Sequence, residues 1–358
     1  MQFRARLLFV PGIILACSAN HSQFGDDTST DGGSKDGTTS SDAPFSDDSP
    51  AQFGDSGSDG NGGDGGVVTT VYANTDDTLY SLDPQTNAIT MIGAFAGTSD
   101  SSTDGTITDI AVDAAGEVYA NTESVIYRAT LPQNPPGTVE LTKIASISLK
   151  SGQRFYALAF APAGSLDTNE VLIGGDGDGE LYSIDTTSGA TRDLGNFGPN
   201  PSVANDILAL SGDLVFYNNT QNQPTGLATV RSCSKTQPSS CTTTNDYLVG
   251  VDMTALANAY KNNTPASSLL LGIYGGSKTS VGNGTTYGEL YGLGAWEGSV
   301  FAFSRYVSSS KTAPMLITID TNTGKGSMVS NNFSFTNGWS GAGVTTSVTI
   351  TVPPPPVN

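Results

Sequence analysis

Histidine is almost missing: the 358 residues contain one, His21, and it stands in a low-complexity stretch. Catalysis by a histidine base, and zinc sites built from several imidazoles, are excluded with it. Basic residues are also scarce. Fifteen Lys and Arg face 34 Asp and Glu, a formal charge of −19, so DNA and RNA are repelled and nucleic-acid binding is excluded. Charged residues of both signs make up only 14% of the chain, and apolar residues 37%. That is enough for a core and far short of a membrane protein. What the chain has in quantity is glycine, at 43 positions, with 18 prolines.

The N-terminus reads as an export signal. Arg4 and Arg6 precede an apolar run over residues 7–16, too short for a bilayer helix and right for the core of a signal peptide. The run ends in Ile14-Leu15-Ala16-Cys17, which resembles the lipobox of bacterial lipoproteins. The resemblance implies that residues 1–16 are removed and that Cys17 carries the lipid. Its acyl chains would tether the mature protein, each buried methylene adding about 0.8 kcal/mol. Ser18 stands where an inner-membrane retention signal often has Asp, so the resemblance points to the outer membrane.

Residues 17–66 form a linker of Asp, Ser, Gly and Thr; ten Asp and one Lys lie between residues 18 and 66. Such a segment cannot bury enough apolar surface to fold. It is expected to be an extended, self-repelling spacer. Its Asp-Gly clusters, as in residues 59–66, lack the repeating ligand register of a calcium loop.

Residues 67–352 alternate runs rich in Val, Ile, Leu, Tyr and Thr with Gly, Asn and Asp turns, and only residues 253–261 read as a helix. One motif recurs: Leu79-Tyr80-Ser81-Leu82-Asp83, Leu181-Tyr182-Ser183-Ile184-Asp185 and Leu316-Ile317-Thr318-Ile319-Asp320, with looser copies ending at Thr130 and Asp252. A second, of small and apolar residues, precedes it and begins at Asp109, Ala157, Asp206 and Tyr291. Four strands per unit, repeated, describe a β-propeller, whose sheets bury their faces only against neighbouring sheets. The first unit lacks its inner strand, and the run from Trp339 to Thr346 can supply one. The expected fold is therefore all-β, a five-bladed propeller closed by a blade shared between the chain ends, followed by a Pro-rich tail over residues 353–358.

With its Leu-Tyr-x-Ile-Asp-x-x-Thr-Gly turns, the chain resembles bacterial secreted propellers of the quinoprotein-like and related lipoprotein kinds. Quinoproteins dock their blades with a Trp in each repeat. Here only Trp296 and Trp339 exist, so neither eight blades nor a quinone is implied, and no cofactor is expected.

Cys233 and Cys241 bracket a polar loop in a chain sent to an oxidising compartment, and are expected to form a disulfide. The Gly174-to-Glu180 run alternates Gly with Asp between two strands, a tight turn rather than a metal loop. Asp109, Asp206 and Glu289 are expected near one mouth of the channel, with Tyr156, Tyr287, Tyr291 and Trp296 as aromatics near the same face. This set suits a binding or scaffold module for a protein or polysaccharide at the envelope. The alternative is a glycoside hydrolase-like enzyme, in which convergent carboxylates act as acid and base.

Overall fold

The computed structural model describes residues 70–98, 105–150, 153–277, 279–305, 307–308, 311–312, 314–335 and 337–355. The signal peptide, Cys17 and the acidic linker lie outside them. Among the described residues the fold is all-β and propeller-like, with one helix, Met253–Asn262. Asp252 caps that helix by accepting from the amides of Thr254 and Ala255, and Asn263 ends it at φ 52°. No helix of the described residues is long and apolar enough to cross a membrane.

The strands form antiparallel meanders. From the inside outward these are Gly341–Val344 with Val71–Asn74, Thr78–Asp83 and Ala88–Ala96; Asp109–Val112 with Val118–Asn121, Val125–Thr130 and Gly137–Ser146; and Phe155–Ala161 with Val171–Asp176, Glu180–Ile184 and Thr191–Asn196. Next come Asp206–Asn219 with Pro224–Ser234, Tyr247–Val251 and Leu270–Ile273, and finally Leu290–Trp296 with Ser299–Ser304, Met315–Ile319 and Gly326–Ser330. The innermost strands lie side by side in that order, and Leu290–Trp296 packs beside Gly341–Val344. Apolar side chains fill the spaces between meanders. Trp339, fully buried, meets Tyr80, Phe303, Phe333 and Phe335 at ring separations of 4.7–5.4 Å.

The recurring Asp is a turn device. Asp83, Asp185 and Asp320 each accept a backbone amide two residues on and a Thr or Ser hydroxyl three residues on. The next residue then takes a left-handed backbone, Asn87 at φ 60°, Gly189 at 72° and Gly324 at 68°. These hydrogen bonds hold the three carboxyls below the usual carboxylate range.

Two features depart from a simple succession of separate units. Gly93–Ala96 is part of an outermost strand that pairs in parallel with residues 137–140, merging two meanders into one eight-stranded sheet. The approach needs glycine, since a Cβ on Gly93 would stand 2.1 Å from the Gly137 carbonyl oxygen. The C-terminal segment, in turn, does not stay with the first meander. Thr345 bridges to Val112, the Thr346 hydroxyl donates to Glu170, Thr349–Ile350 pairs with Asn218 and Asn219, and the Thr351 amide donates to the Glu297 carbonyl. It thus crosses the end of the inner strands where Val112, Asn219 and Trp296 lie.

The described part of the Pro-rich tail is docked. The Tyr274 hydroxyl donates to the Pro353 carbonyl at 2.9 Å, and Pro355 is buried over Gly250. Deleting residues 353–358 should lower unfolding free energy in urea by about 1–2 kcal/mol, the worth of one hydrogen bond and a proline's buried area. An unchanged midpoint would mean that these contacts contribute nothing.

Candidate ligand cavity at the inner-strand ends

At the centre of the inner strands lies a pair of buried acids, Asp109 and Asp213, close enough for their carboxyls to interact. Asp109 accepts the amides of Ile110 at 2.8 Å, Leu158 at 2.6 Å and Ala342 at 3.1 Å. Asp213 accepts those of Leu214 at 2.5 Å and Leu293 at 2.7 Å. Each innermost strand therefore gives one amide to the pair. The close seat needs Gly341, where a Cβ would meet the Asp109 carboxylate at 1.9 Å. Burial pushes both carboxyls well above the usual Asp value, and the charge of Asp213 pushes Asp109 further. Two carboxylates sharing one site cannot both ionise readily, so the pair gives up its protons at higher pH than ordinary carboxyls do.

Directly above Thr108 and Gly212, the residues preceding these acids, opens a cavity of about 390 Å³. Every meander contributes to its wall: Asp76 and Ser340, Thr106 and Glu123, Tyr156 and Asp176, Ser211 and Arg231, Tyr291 and Arg305. The opposite end of the inner strands is the one crossed by the C-terminal segment.

The charged side chains around this cavity are already held, most of them in ion pairs. Arg305 holds Asp76 through two hydrogen bonds of 2.8 Å, and Ser340 donates to the same carboxylate at 2.5 Å. Arg154 pairs with Glu123 at 2.8 Å. Arg231 pairs with the buried Asp246 at 2.7 Å, and Asp246 also accepts the Leu290 amide. Burial raises the Asp246 carboxyl, and Arg231 offsets part of that rise. Asp176 accepts the Asp178 and Glu180 amides on one oxygen and Gln153 on the other; burial pushes its carboxyl up.

The residues singled out in the sequence fall in several places. Tyr291 lines the cavity. Asp109 lies beneath it as half of the acid pair. Asp206 is buried beside it, its carboxylate accepting the Ser232 and Thr242 hydroxyls at 2.6 and 2.7 Å. Glu289 is not among the lining residues; it takes a left-handed backbone at φ 54°, and its carbonyl accepts the Arg305 amide. Trp296 sits at the far end of the strand that begins near Tyr291, buried among Val300, Phe301 and Ile350. Cys233 and Cys241 are bonded in a disulfide, and both line the cavity wall.

Asp213, Asp76, Arg231 and Arg305 have no counterpart in that set. A signal for Asp213 was present: Asp109-Ile110-Ala111-Val112 and Asp213-Leu214-Val215-Phe216 both place an acid before an apolar run. Another repeat, Val-Tyr-Ala-Asn-Thr at residues 71–75 and 118–122, marks the cavity end of two second strands. There Asn74 donates to the Ile107 carbonyl and Asn121 to that of Phe155, tying each meander to the next.

No protein-family model and no curated protein sequence matches the chain. Among solved structures it is similar to one described as "The de novo evolutionary emergence of a symmetrical protein is shaped by folding constraints", at 14% identity and TM-score 0.36, over 79% of this chain and 99% of that one. It is also similar to the Dos1 propeller, at 12% identity and TM-score 0.31 over 74% of this chain, and to the computationally designed Ika8 protein, at 13% and 0.28 over 75%. The match spans 58% of the Dos1 chain and 60% of the Ika8 chain. What the site can do follows from its own residues.

Proposed function

We propose that this protein is a cell-envelope lipoprotein, anchored through Cys17 at the outer membrane, that presents a five-bladed propeller as a binding module for a carbohydrate or protein partner. The cavity above the acid pair is its binding site. Three observations support the propeller reading: the repeated meanders, the pairing of Gly341–Val344 with Val71–Asn74, and one amide from every innermost strand meeting at Asp109 and Asp213. One observation carries the functional reading. The cavity collects polar and aromatic groups from all meanders at one end, while the chain's own C-terminal segment crosses the other.

Binding is favoured over glycoside hydrolysis by the state of the carboxylates. Hydrolysis needs an acid and a base free to act on the bond. Asp76 and Glu123 are held by arginines, Asp176 by amides, and Asp109 lies buried beneath the floor.

Two measurements test the proposal. Cys17→Ser should move the protein from the membrane fraction to the soluble fraction and remove incorporation of labelled fatty acid; an unchanged detergent-phase share would refute the anchor. Thr106→Trp, an exposed lining position, should fill the mouth and abolish heat of binding to solubilised envelope material. If that variant binds the material as wild type does, the cavity is not the site.

A further inference from the structure

The chemistry of the cavity selects one class of ligand. Its arginines are committed to Asp76 and Asp246, and its carboxylates to Arg305, Arg154 or amides. Among the described lining residues each arginine is paired with a carboxylate and each carboxylate is held by an arginine or by amides, so a charged ligand would have to displace a partner and leave a charge uncompensated in a half-buried site. The wall nevertheless offers many hydrogen-bonding groups. Thr106, Thr108, Ser211 and Ser340 all line the cavity; the Ser340 hydroxyl stands against the Asp76–Arg305 pair, the Thr108 hydroxyl donates to the Asn121 and Phe155 carbonyls and keeps its acceptor side, and the ion pair presents donors and acceptors together. Vicinal hydroxyls, each both donor and acceptor, match such a mixed set.

An aromatic surface completes it. Tyr156 is 42% exposed at the cavity, although it belongs to an otherwise buried inner strand. Its hydroxyl is held by Glu123 at 3.3 Å, and its ring rests over Gly177, where a Cβ would come within 3.0 Å of Cε2. The ring is thus fixed in position with apolar area left open. Tyr291 lines the same space from the last inner strand. A volume of about 390 Å³ admits a small polar ring rather than the surface of a protein.

We infer that the cavity takes a neutral glycan, with one sugar ring laid against Tyr156 and its hydroxyls bonded to the Asp76–Arg305–Ser340 cluster, Thr108 and Tyr291. This rests on the reading of the cavity as a binding site and narrows its ligand to one class. Gly177 is a positioning residue for that ring, since a Cβ added there would meet only Tyr156.

The test is calorimetric titration of the purified full-length protein with neutral hexasaccharides (cello-, xylo-, manno- and laminarihexaose), with an oligogalacturonate as the anionic arm and a chitosan hexamer as the cationic arm. At least one neutral probe should bind. Tyr156→Ala should weaken it about tenfold or more, as loss of a central aromatic anchor does. Tyr156→Phe, which keeps the ring, should stay within about threefold. Gly177→Ala should weaken binding while leaving the melting curve unchanged. Tyr156 is exposed, so a folding defect is separable by the same melts. If no neutral probe binds, or if Tyr156→Ala binds as wild type does, the inference is overturned. Binding of a charged probe alone, lost in Thr106→Trp, would overturn the neutral class while upholding the cavity. Envelope binding that survives Thr106→Trp would instead overturn the cavity itself.

Discussion

A chain ended after Gly338 should not fold. The truncation removes Trp339 from its aromatic cluster and the strand Gly341–Val344 from its pairing with Val71–Asn74. It also takes Ala342 from Asp109 and strips Val344, Val348, Ile350 and Val352 from the core. Truncating one fully buried Trp to Ala costs about 3–5 kcal/mol, and a domain has only about 5–15 kcal/mol in total. Trp339→Ala alone should therefore bring the protein close to half-unfolded in mild urea. Deletion of residues 353–358, by contrast, should shift the midpoint only slightly. Far-UV circular dichroism and urea titration of the three proteins decide the matter. A cooperative transition at the wild-type midpoint after truncation at Gly338 would show that the terminal strand is not part of the core.

The strand pattern was legible because it rests on local chemistry. An apolar alternating run ending in Asp, followed by Thr or Ser and then Gly, specifies a strand, an Asp-capped turn and a left-handed residue, which is what Asp185 to Gly189 form. The helix was equally local, with Asp252 as its cap. Long-range features were not legible. Ser211-Gly212-Asp213 reads as a turn, yet the strand continues from Asp206 to Asn219 through an irregular register between Leu210 and Leu214. Gly212 is there because a Cβ would stand 1.9 Å from the Leu290 carbonyl oxygen, a close approach between neighbouring strands rather than a reversal of the chain. Aligning the recurring small-residue motifs puts Asp206 level with Asp109, whereas Asp213 is the residue whose carboxyl interacts with Asp109. The crossing of the terminal segment and the Asp76–Arg305 pair, 229 residues apart, likewise have no local signature.

The acid pair should give the protein an inverted pH response, with stability falling as pH rises. Both carboxyls are raised in the folded state, first by burial and then, for Asp109, by Asp213. Unfolded, each titrates near the ordinary value of 3.8. Above that value the folded protein holds more protons than the unfolded chain, so the contribution is full below it and is lost as pH climbs through the raised folded range. The slope is about 1.4 kcal/mol per pH unit for each extra proton held. The turn acids Asp83, Asp185 and Asp320 act in the opposite sense, since their lowered carboxyls stabilise above the unfolded value. Their effect is common to wild type and variants, so the comparison with Asp109→Asn isolates the titration of position 109, which that substitution abolishes while keeping the side chain's shape. Wild type should exceed that variant in unfolding free energy most at acid pH, and the gap should narrow steadily as pH rises. Asp109→Ala should lose about 3 kcal/mol or more at every pH, because the Ile110, Leu158 and Ala342 amides are left buried without an acceptor. Urea titrations at intervals from pH 4 to pH 9 measure both effects. A gap between wild type and Asp109→Asn that stayed constant, or widened with pH, would mean that Asp109 holds no extra proton in the folded protein.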